Sequence, residues 1–430
     1  MAMAFLLSPF FCLLLLLSST AIAADIPIFH SKAPPPPASS SLFDSVLAAA
    51  HTDPARLAFL SQKATAVPIA SGQQLLQSNS YVLRARLGSP GQLLLLVLDT
   101  GSDAAWVPCS PCSSCPSSNL FLASNSTTYS SLPCSSSWCP MFQGQPCGAS
   151  PTGPTPSPCT YNSGYGGDST FAATLSQDSL RLALDVIPNY AFGCVNAVTG
   201  SATSLPKQGL LGLGGGPMSL LSQAASVYKG VFSYCLPSFR SYYFSGSLRL
   251  GPVGQPRSIR TTPLLHNPHR PSLYYVNQTG ISVGRVLVAV PPGSFGFDPA
   301  TGAGTVVDSG TVITRFVSPI YAALRDEFRR QVNASGGYSA LGAFDTCFST
   351  DEVSRTPPVT LHFAGLDLVF PVENTLIHSS ARPLACLAMA EAPGNVNSVV
   401  NVIASLQQQN MRVMIDVANG RVGFAREVCN

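Results

Sequence analysis

Two short matching blocks, one in each half of the chain, constrain the fold most. They read Asp99-Thr100-Gly101-Ser102 and Asp308-Ser309-Gly310-Thr311. Each block follows directly on an apolar run, which predicts a buried strand ending at the aspartate. The glycine permits a tight turn with close backbone approach, and the small hydroxyl side chains can hydrogen-bond inward. A duplicated fold that brings the two turns together would hold two carboxylates against one water molecule.

The composition indicates a globular protein with large cores. The 430 residues are 46% hydrophobic and 10% charged, and the 23 Lys and Arg residues form no run of the kind that binds phosphates. We therefore expect no nucleic-acid partner. From Tyr81 onward, short β-rich runs alternate with Gly, Pro and Ser turns, while helical spacing is confined chiefly to Pro319–Val332. The pattern predicts a mostly β protein.

The N-terminal region has the features of a leader. Residues 1–23 are predicted to be a signal peptide, because an apolar stretch precedes Ala21-Ile22-Ala23, although no Lys or Arg comes before it. A membrane anchor is the alternative, but Pro9 interrupts the run and its length is short for a bilayer. No second spanning segment is evident, so we expect no membrane anchor. Residues 24–70 are interpreted as a propeptide, with a simple linker as the alternative.

Cysteine usage agrees with export. Of 13 Cys, Cys12 lies in the leader, and the even number that remains suits disulfides in an oxidising compartment. The spacing of Cys109, Cys112 and Cys115 also resembles that of zinc ligands, but the export signal and the even count favour disulfides. We expect no metal and no cofactor. Glycosylation sequons, which are compatible with export, begin at Asn125, Asn277 and Asn333.

Further segments in the expected order make residues 80–430 similar to the pepsin-type aspartic endopeptidases, specifically to their nepenthesin-like or atypical plant branch. The segments are Tyr165-Gly166, Leu210-Leu211-Gly212, Gln407-Gln408-Gln409-Asn410 and Val422-Gly423-Phe424-Ala425. The resemblance implies a bilobal pepsin-like double β-barrel fold with a disulfide-rich insertion in the N-terminal lobe. The N-terminal lobe is assigned to residues 71–263 and the C-terminal lobe to residues 264–430.

The resemblance implies that Asp99 and Asp308 are catalytic. Two carboxyl groups at one site cannot both ionise cheaply, so they share a proton; pepsin-type proteases are the standard example. The ionised group takes a proton from water, and the protonated group donates to the developing oxyanion. Supporting roles are implied for the neighbouring hydroxyls: lobe-linking for Thr100 and Ser309, and bonding to the outer carboxylate oxygens for Ser102 and Thr311.

A flap and a disulfide set are implied as well. Tyr165-Gly166 would close over the substrate with Trp106 as the partner of the Tyr165 hydroxyl, the alternative being an ordinary hairpin aromatic. The implied disulfides are Cys109–Cys112, Cys115–Cys194, Cys134–Cys159, Cys139–Cys147, Cys235–Cys429 and Cys347–Cys386. The crossing segment of the second half carries Ala404 where glycine is usual, and we expect its methyl group to crowd the Asp308 loop.

The sequence thus predicts a secreted, monomeric aspartic endopeptidase with an acidic optimum that acts on proteins or peptides. Its destination would be the apoplast and cell wall, with the vacuole as an alternative. The rival interpretation is a catalytically weak or inactive binding or inhibitor protein of the cell wall on the same fold. Residues 280–284 also fit the Gly-x-Ser-x-Gly pattern of serine hydrolases. The apolar run after them predicts a strand instead of the required helix, so we interpret this match as chance.

Overall fold

The computed structural model describes residues 65–76, 78, 80–116, 119–144, 157–164, 169–200, 205–393 and 399–429. The predicted signal peptide and most of the predicted propeptide lie outside them. The strands are β1 (Thr65–Ser71), β2 (Tyr81–Leu87), β3 (Gln92–Asp99), β4 (Trp106–Ser113), β5 (Ser130–Ser131), β6 (Thr160–Gly164), β7 (Thr170–Leu182), β8 (Asp185–Thr199), β9 (Leu210–Gly212), β10 (Val231–Cys235), β11 (Gly246–Leu250), β12 (Arg260–Leu265), β13 (Tyr275–Val276), β14 (Gln278–Val283), β15 (Val286–Leu287), β16 (Gly304–Val307), β17 (Thr314–Phe316), β18 (Ser339–Leu341), β19 (Phe344–Ser349), β20 (Val359–Phe363), β21 (Leu366–Phe370), β22 (Leu376–His378), β23 (Leu384–Leu387), β24 (Met389–Glu391), β25 (Val400–Ile403), β26 (Met411–Asp416) and β27 (Arg421–Arg426).

Within the described ranges, helices are few and mostly one turn long. They are α1 (Gly72–Leu76), α2 (Trp138–Met141), α3 (Leu220–Gln223), α4 (Ala225–Tyr228), α5 (Ser318–Val332) and α6 (Val372–Thr375), with 3₁₀ turns at Ala123–Asn125 and Thr350–Arg355. The prediction of a mostly β protein is confirmed. Among the helices of the described residues, none has the length and apolar character needed to cross a membrane.

The strands form one large hydrogen-bonded network and two small sheets. Nineteen strands belong to the network, while β14, β15, β20 and β21 form one four-stranded sheet and β18, β19, β22 and β23 form another. Within the network the same arrangement occurs twice. Strand β9 runs parallel to β3 and antiparallel to β4, and strand β25 runs parallel to β16 and antiparallel to β17. Each aspartate block therefore lies beside a short crossing strand.

The longest helix, α5, was predicted from its periodicity. Its buried residues include Tyr321, Leu324, Phe328 and Val332, which recur at the spacing that aligns side chains on one helix face. A proline is tolerated in its first turn because the N–H groups there have no helical partner. The helix ends where Asn333 adopts a left-handed conformation, with φ of 46°. The predicted helix over Pro319–Val332 is confirmed.

The first described strand bears on the propeptide boundary. Strand β1 pairs antiparallel with β11 on one side and with β2 on the other. Val67 and Ile69 on this strand are buried in the core. The boundary at residue 70 falls inside β1, so removal of the chain up to that point would take most of an interior strand away.

The structure corrects most of the disulfide set within the N-terminal half. The bonds among the described residues are Cys109–Cys194, Cys112–Cys115, Cys139–Cys159, Cys235–Cys429 and Cys347–Cys386. The last two match the implied pairs. The implied pairs Cys109–Cys112, Cys115–Cys194, Cys134–Cys159 and Cys139–Cys147 are wrong. Cys134 is disulfide-bonded, and Cys147 lies outside the described residues.

Strand pairing explains the first correction. Strand β4 lies parallel to β8 with Val107 opposite Cys194, so Cys109 and Cys194 are neighbours, with Cα atoms 5.4 Å apart. This bond leaves Cys112 to pair with Cys115, three residues along the chain. All three cysteines of the zinc-like spacing are thus held in disulfides, which argues against zinc ligation there.

We expect the Cys235–Cys429 bond to contribute more to stability than the Cys112–Cys115 bond. It joins residues separated by 194 positions, whereas the other spans 3, and a longer closed loop removes more entropy from the unfolded chain. Replacing Cys235 and Cys429 together with serine is expected to cost roughly 2 to 3 kcal/mol of unfolding free energy. Urea unfolding of this variant and of a matched Cys112→Ser, Cys115→Ser variant checks the difference. Equal losses in the two variants would contradict it.

Candidate active site

The two aspartates end buried strands and are held by equivalent contacts. In the first loop the inner oxygen of Asp99, Oδ1, accepts the Gly101 N–H at 2.8 Å, and Oδ2 accepts the Ser102 hydroxyl at 2.7 Å. In the second loop Asp308 repeats the pattern. Its Oδ1 accepts the Gly310 N–H at 2.9 Å, and its Oδ2 accepts the Thr311 hydroxyl at 2.6 Å. Each carboxylate is therefore held at both of its oxygens by donors from its own loop.

The loops are joined by the hydroxyl residues that follow the aspartates. The Ser309 N–H donates to Thr100 Oγ1 at 2.9 Å, and the Thr100 N–H donates to Ser309 Oγ at 3.2 Å. The Ser309 hydroxyl donates to the Leu98 carbonyl oxygen at 3.0 Å, and the Thr100 hydroxyl reaches Asp308 Oδ1 at 3.4 Å. These contacts couple residues from the two halves of the chain, in the positions that the resemblance implied.

The glycines show how closely the two loops approach. A Cβ atom on Gly310 would lie 2.3 Å from Asp99 Oδ1, and one on Gly101 would lie 3.0 Å from Asp308 Oδ1. Each glycine therefore packs against the carboxylate of the opposite loop, and a hydrogen atom is all that fits at Gly310. Both carboxylates lie in the space between the two loops.

Beneath the second loop, Gln408 and Tyr234 form a buried support that the sequence did not predict. Gln408 Nε2 donates to the carbonyl oxygens of Asp308 at 3.1 Å and Ile403 at 2.7 Å. Its Oε1 accepts the Tyr234 hydroxyl at 2.6 Å. Burial, and then the charge of Asp308, raise the pKa of Tyr234 well above its ordinary value. Tyr234 therefore remains a neutral donor. The run of three glutamines after an apolar segment was the available signal, because buried amides need partners.

Asp103 is a second support that the sequence did not predict. It is 9% exposed, and its Oδ1 accepts the Gly216 N–H at 2.9 Å while its Oδ2 accepts the Ser272 hydroxyl at 2.7 Å. A Cβ on Gly216 would lie 1.8 Å from Asp103 Oδ2. The carboxylate thus ties the first loop to the segment after β9 and to Ser272 in the second half of the chain.

The flap tip, Tyr165-Gly166, lies outside the described residues. The strands on either side of it form a hairpin, because β6 and β7 pair antiparallel with Gly164 opposite Thr170. Trp106 is 6% exposed, and its ring centroid lies 4.8 Å from that of Phe171 on β7. Trp106 therefore packs against the hairpin near its tip. Its predicted contact with the Tyr165 hydroxyl stays a prediction.

Ala404 replaces the usual glycine without loss of the contacts that hold Asp308. At the corresponding position of the first half, a Cβ on Gly212 would lie 2.0 Å from the Asp103 carbonyl oxygen. Ala404 is fully buried, and its N–H donates to Thr314 Oγ1 at 2.9 Å. The Asp308 loop beside it keeps a glycine N–H and a hydroxyl contact, as the Asp99 loop does. The methyl group of Ala404 thus leaves these carboxylate contacts in place.

This asymmetry predicts that the two crossing segments differ in their sensitivity to a glycine–alanine exchange. Gly212→Ala is expected to cost about 2 to 3 kcal/mol of stability and to lower activity, because backbone must move to admit the methyl group. Ala404→Gly is expected to cost only about 1 kcal/mol. Thermal unfolding and peptide-cleavage assays of the two variants measure both effects. A larger loss in Ala404→Gly would contradict the account.

The sequon asparagines are all accessible. Asn125, Asn277 and Asn333 are exposed. Asn277 lies between β13 and β14, and Asn333 ends helix α5. Each side chain is therefore placed where a glycan could be attached, and glycosylation itself stays a prediction.

Comparison with known proteins gives the family. A model described as xylanase inhibitor N-terminal matches residues 81–252, and one described as xylanase inhibitor C-terminal matches residues 273–426. The chain is 62% identical over 423 residues to Aspartyl protease 25 of Oryza sativa subsp. japonica, with 95% of each chain covered. It is 34% identical over 357 residues to Aspartic proteinase nepenthesin-1 of Nepenthes gracilis, with 81% of this chain and 78% of that protein covered.

Solved structures agree on the fold. The aspartic proteinase from Irpex lacteus matches with a TM-score of 0.60 at 16% identity, covering 85% of this chain and 97% of that one. Basic 7S globulin from soybean matches with a TM-score of 0.66 at 20% identity, covering 84% and 96%. The predicted pepsin-like fold is confirmed. The sequence identities and coverages of the two relatives, together with these structural matches, show that the chain belongs to the family of plant pepsin-type aspartic endopeptidases.

Proposed function

We propose that this chain is a secreted endopeptidase whose catalytic pair is Asp99 and Asp308. The observation that carries the proposal is the packing of Gly101 and Gly310 against the carboxylate of the opposite loop. Carboxylates held in this way can bind one water molecule between them. Each loop gives its carboxylate a glycine N–H and a hydroxyl donor, and Asp308 Oδ2 also accepts the Thr311 N–H at 3.0 Å. Because the two carboxyl groups share one proton, they titrate as a unit, and we assign the role of base to neither aspartate alone.

The proposed reaction is direct attack of water on the peptide carbonyl. The ionised carboxylate takes a proton from the water, and the protonated carboxyl donates to the developing oxyanion. The tetrahedral intermediate then breaks at the C–N bond as the amine leaving group receives a proton from the pair. The backbone N–H groups of Gly101 and Gly310 hold the inner oxygens during these transfers. No metal or cofactor enters this scheme.

An acidic optimum follows from the shared proton. Like charges at close range keep one carboxyl group protonated over an acidic range, and the active state needs one charged and one neutral group. Above that range both groups ionise and the donor is lost. Below it both are protonated and the base is lost.

Secretion is part of the proposal. It is supported by the leader pattern of residues 1–23, by the disulfides, and by the exposed positions of the three sequon asparagines. We propose the apoplast as the destination and a propeptide that ends before Thr65, so that strand β1 stays with the sheet.

A binding or inhibitor protein on the same fold is the second candidate. It is favoured by the descriptions of the two matching family models, which name xylanase inhibitors, and by the likeness in fold to Basic 7S globulin from soybean. The retention of both aspartates with their full set of hydroxyl and glycine partners favours the endopeptidase.

Cleavage of an acid-denatured protein separates the two candidates. The purified protein is incubated with the substrate at roughly pH 3 to 5, with and without pepstatin. The proposal expects peptide products whose formation pepstatin blocks. Absence of cleavage across this range by correctly folded protein would favour the binding protein. Products that persist with pepstatin would overturn the assignment of the catalytic pair.

A further inference from the structure

A serine, a histidine and an aspartate form a hydrogen-bonded chain on the small sheet of β14, β15, β20 and β21. Ser282 Oγ lies 2.7 Å from His362 Nε2, and His362 Nδ1 lies 2.7 Å from Asp367 Oδ1. A carboxylate only accepts hydrogen bonds, so His362 Nδ1 must carry the proton that it shares with Asp367. In the neutral imidazole, Nε2 then has a lone pair that accepts the Ser282 hydroxyl. This is the connectivity of a nucleophile, a base and an orienting group.

Strand register places these residues on one face of the sheet. His362 on β20 lies opposite Asp367 on β21 and Gly280 on β14, and Ser282 lies two residues along from Gly280. The residues on either side of them in each strand, such as Ile281 and Phe363, are buried. The three polar side chains therefore project from the face opposite the core.

An apolar flank adjoins the serine. Leu287 on β15 lies opposite Ser282 and is 66% exposed. A Cβ on Gly280 would lie 3.2 Å from Leu287 Cδ1 and 3.6 Å from His362 Cδ2. The glycine thus leaves Leu287 and the imidazole side by side, next to the hydroxyl. An ester whose small acyl or aryl group contacts Leu287 would have its carbonyl carbon near Ser282.

We propose that Ser282 is a nucleophile, separate from the aspartate pair, that reacts with activated aryl esters. Ser282 is the serine of the Gly-x-Ser-x-Gly pattern at residues 280–284, but it lies within strand β14 and not in the strand-to-helix turn of that pattern, so the proposal depends on its contact with His362 and not on the pattern. His362 Nε2 takes the hydroxyl proton as Oγ attacks the ester carbonyl carbon. The C–O bond to the aryloxide then breaks, and the imidazolium returns its proton to the leaving group. Water, deprotonated by the same imidazole, hydrolyses the acyl-serine and restores the hydroxyl. Atoms and charge balance without any further reactant.

The exposure of the site limits which esters can react there. The face is partly exposed, so water solvates the oxyanion, and the site suits good leaving groups and not amides. An imidazole acts as a base only in its neutral form, whereas the aspartate pair needs an acidic medium to keep its shared proton. Charged groups on the neighbouring elements are Asp367, Arg285 in the turn after β14, and Arg426, whose Nη2 reaches the Val369 carbonyl oxygen. The reaction is therefore separated in pH from the acid proteolysis.

Labelling of the purified full protein with a fluorophosphonate at pH 8 tests the proposal, with peptide mapping to locate the adduct. Phosphonylation with loss of fluoride is expected at Ser282. Hydrolysis of p-nitrophenyl acetate is expected to fall about 10²-fold in Ser282→Ala and in His362→Gln. The labelling rate should be higher at pH 8 than at the acidic pH used for peptide cleavage. Asp367→Asn should slow labelling while leaving the thermal unfolding temperature nearly unchanged.

Matched variants distinguish labelling at Ser282 from labelling at other serines and from the activity of the aspartate pair. Ser339→Ala, which removes an exposed strand serine on the other small sheet, should label as the parent does. Asp99→Asn should keep the label, and Ser282→Ala should keep the acid peptidase activity. A label at another residue, no label at Ser282, or an unchanged labelling rate in His362→Gln would each overturn the proposal, whatever the result at the aspartate pair.

Discussion

Replacing either Asp99 or Asp308 with asparagine is expected to lower kcat for peptide cleavage by about 10³-fold or more while the fold stays intact. An amide keeps the shape of the side chain, and its oxygen can still accept the N–H bond from Gly101 or Gly310. It can neither take a proton from water nor share one with its neighbour. Steady-state cleavage of a chromogenic peptide at acidic pH, with thermal unfolding as the check on folding, measures the effect.

A matched control is available on helix α5. Asp326 has a side chain that is 63% exposed and contacts Arg325. Asp326→Asn should leave kcat unchanged. Substantial activity in either active-site variant would contradict the assignment of the pair, and so would a loss of activity in Asp326→Asn of the same size.

Loss of the Glu427 carboxylate is expected to cost about 3 to 5 kcal/mol of unfolding free energy. The guanidinium of Arg412 on β26 is fully buried, and it donates to Glu427 through Nε at 2.8 Å and through Nη2 at 2.5 Å. Its other contacts are to Ser233 and Ser247. Removing the carboxylate leaves a buried cation without its counter-charge, which is more costly than the loss of a surface ion pair.

A double replacement tests this explanation. Urea unfolding compares Glu427→Ala, Arg412→Met and the variant carrying both changes. The double variant is expected to lose less stability than the sum of the single ones, because it no longer buries an unpaired charge. Additive losses would contradict the ion-pair account. Glu373→Ala in the short helix α6 serves as the control and should change stability little.

The pair of Arg412 and Glu427 also predicts how the stability of the protein changes as the pH falls. Partial burial alone would raise the pKa of Glu427, but the hydrogen bonds and charge of Arg412 outweigh it and hold the pKa below the ordinary 4.5. A carboxyl group whose pKa is lowered on folding stabilises the protein above its unfolded pKa, and this stabilisation is lost as the pH falls through the folded pKa. The contribution should therefore be complete at neutral pH and decline below pH 4.5.

The sequence identified the parts of the fold that depend on local pattern. The apolar runs before Asp99 and Asp308 are strands because alternate or continuous apolar residues favour buried β-structure. The periodicity of Pro319–Val332 predicted the longest helix of the described residues, and the family motif at Leu210-Leu211-Gly212 predicted the crossing strand. Each of these features is encoded within a few neighbouring residues.

The features that were missed depend on contacts between distant residues. The pattern around Ser282 was noticed, but its partner His362 lies 80 positions away and meets it only through strand register. The bond between Cys109 and Cys194 depends in the same way on the parallel pairing of β4 with β8. Closely spaced cysteines allow many pairings, and spacing alone does not choose among them. The supporting roles of Asp103 and Gln408 likewise become visible only when their buried partners are known.

The pH dependence of kcat/KM for a peptide substrate tests the central claim most directly, because it reports the protonation states of the free enzyme. A pair that shares one proton predicts a bell-shaped profile, with both limbs in the acidic range and a maximum at roughly pH 3 to 5. The rising limb marks ionisation of the first carboxyl group, and the falling limb marks loss of the shared proton. A profile that rises in a single step toward neutral or alkaline pH would contradict it.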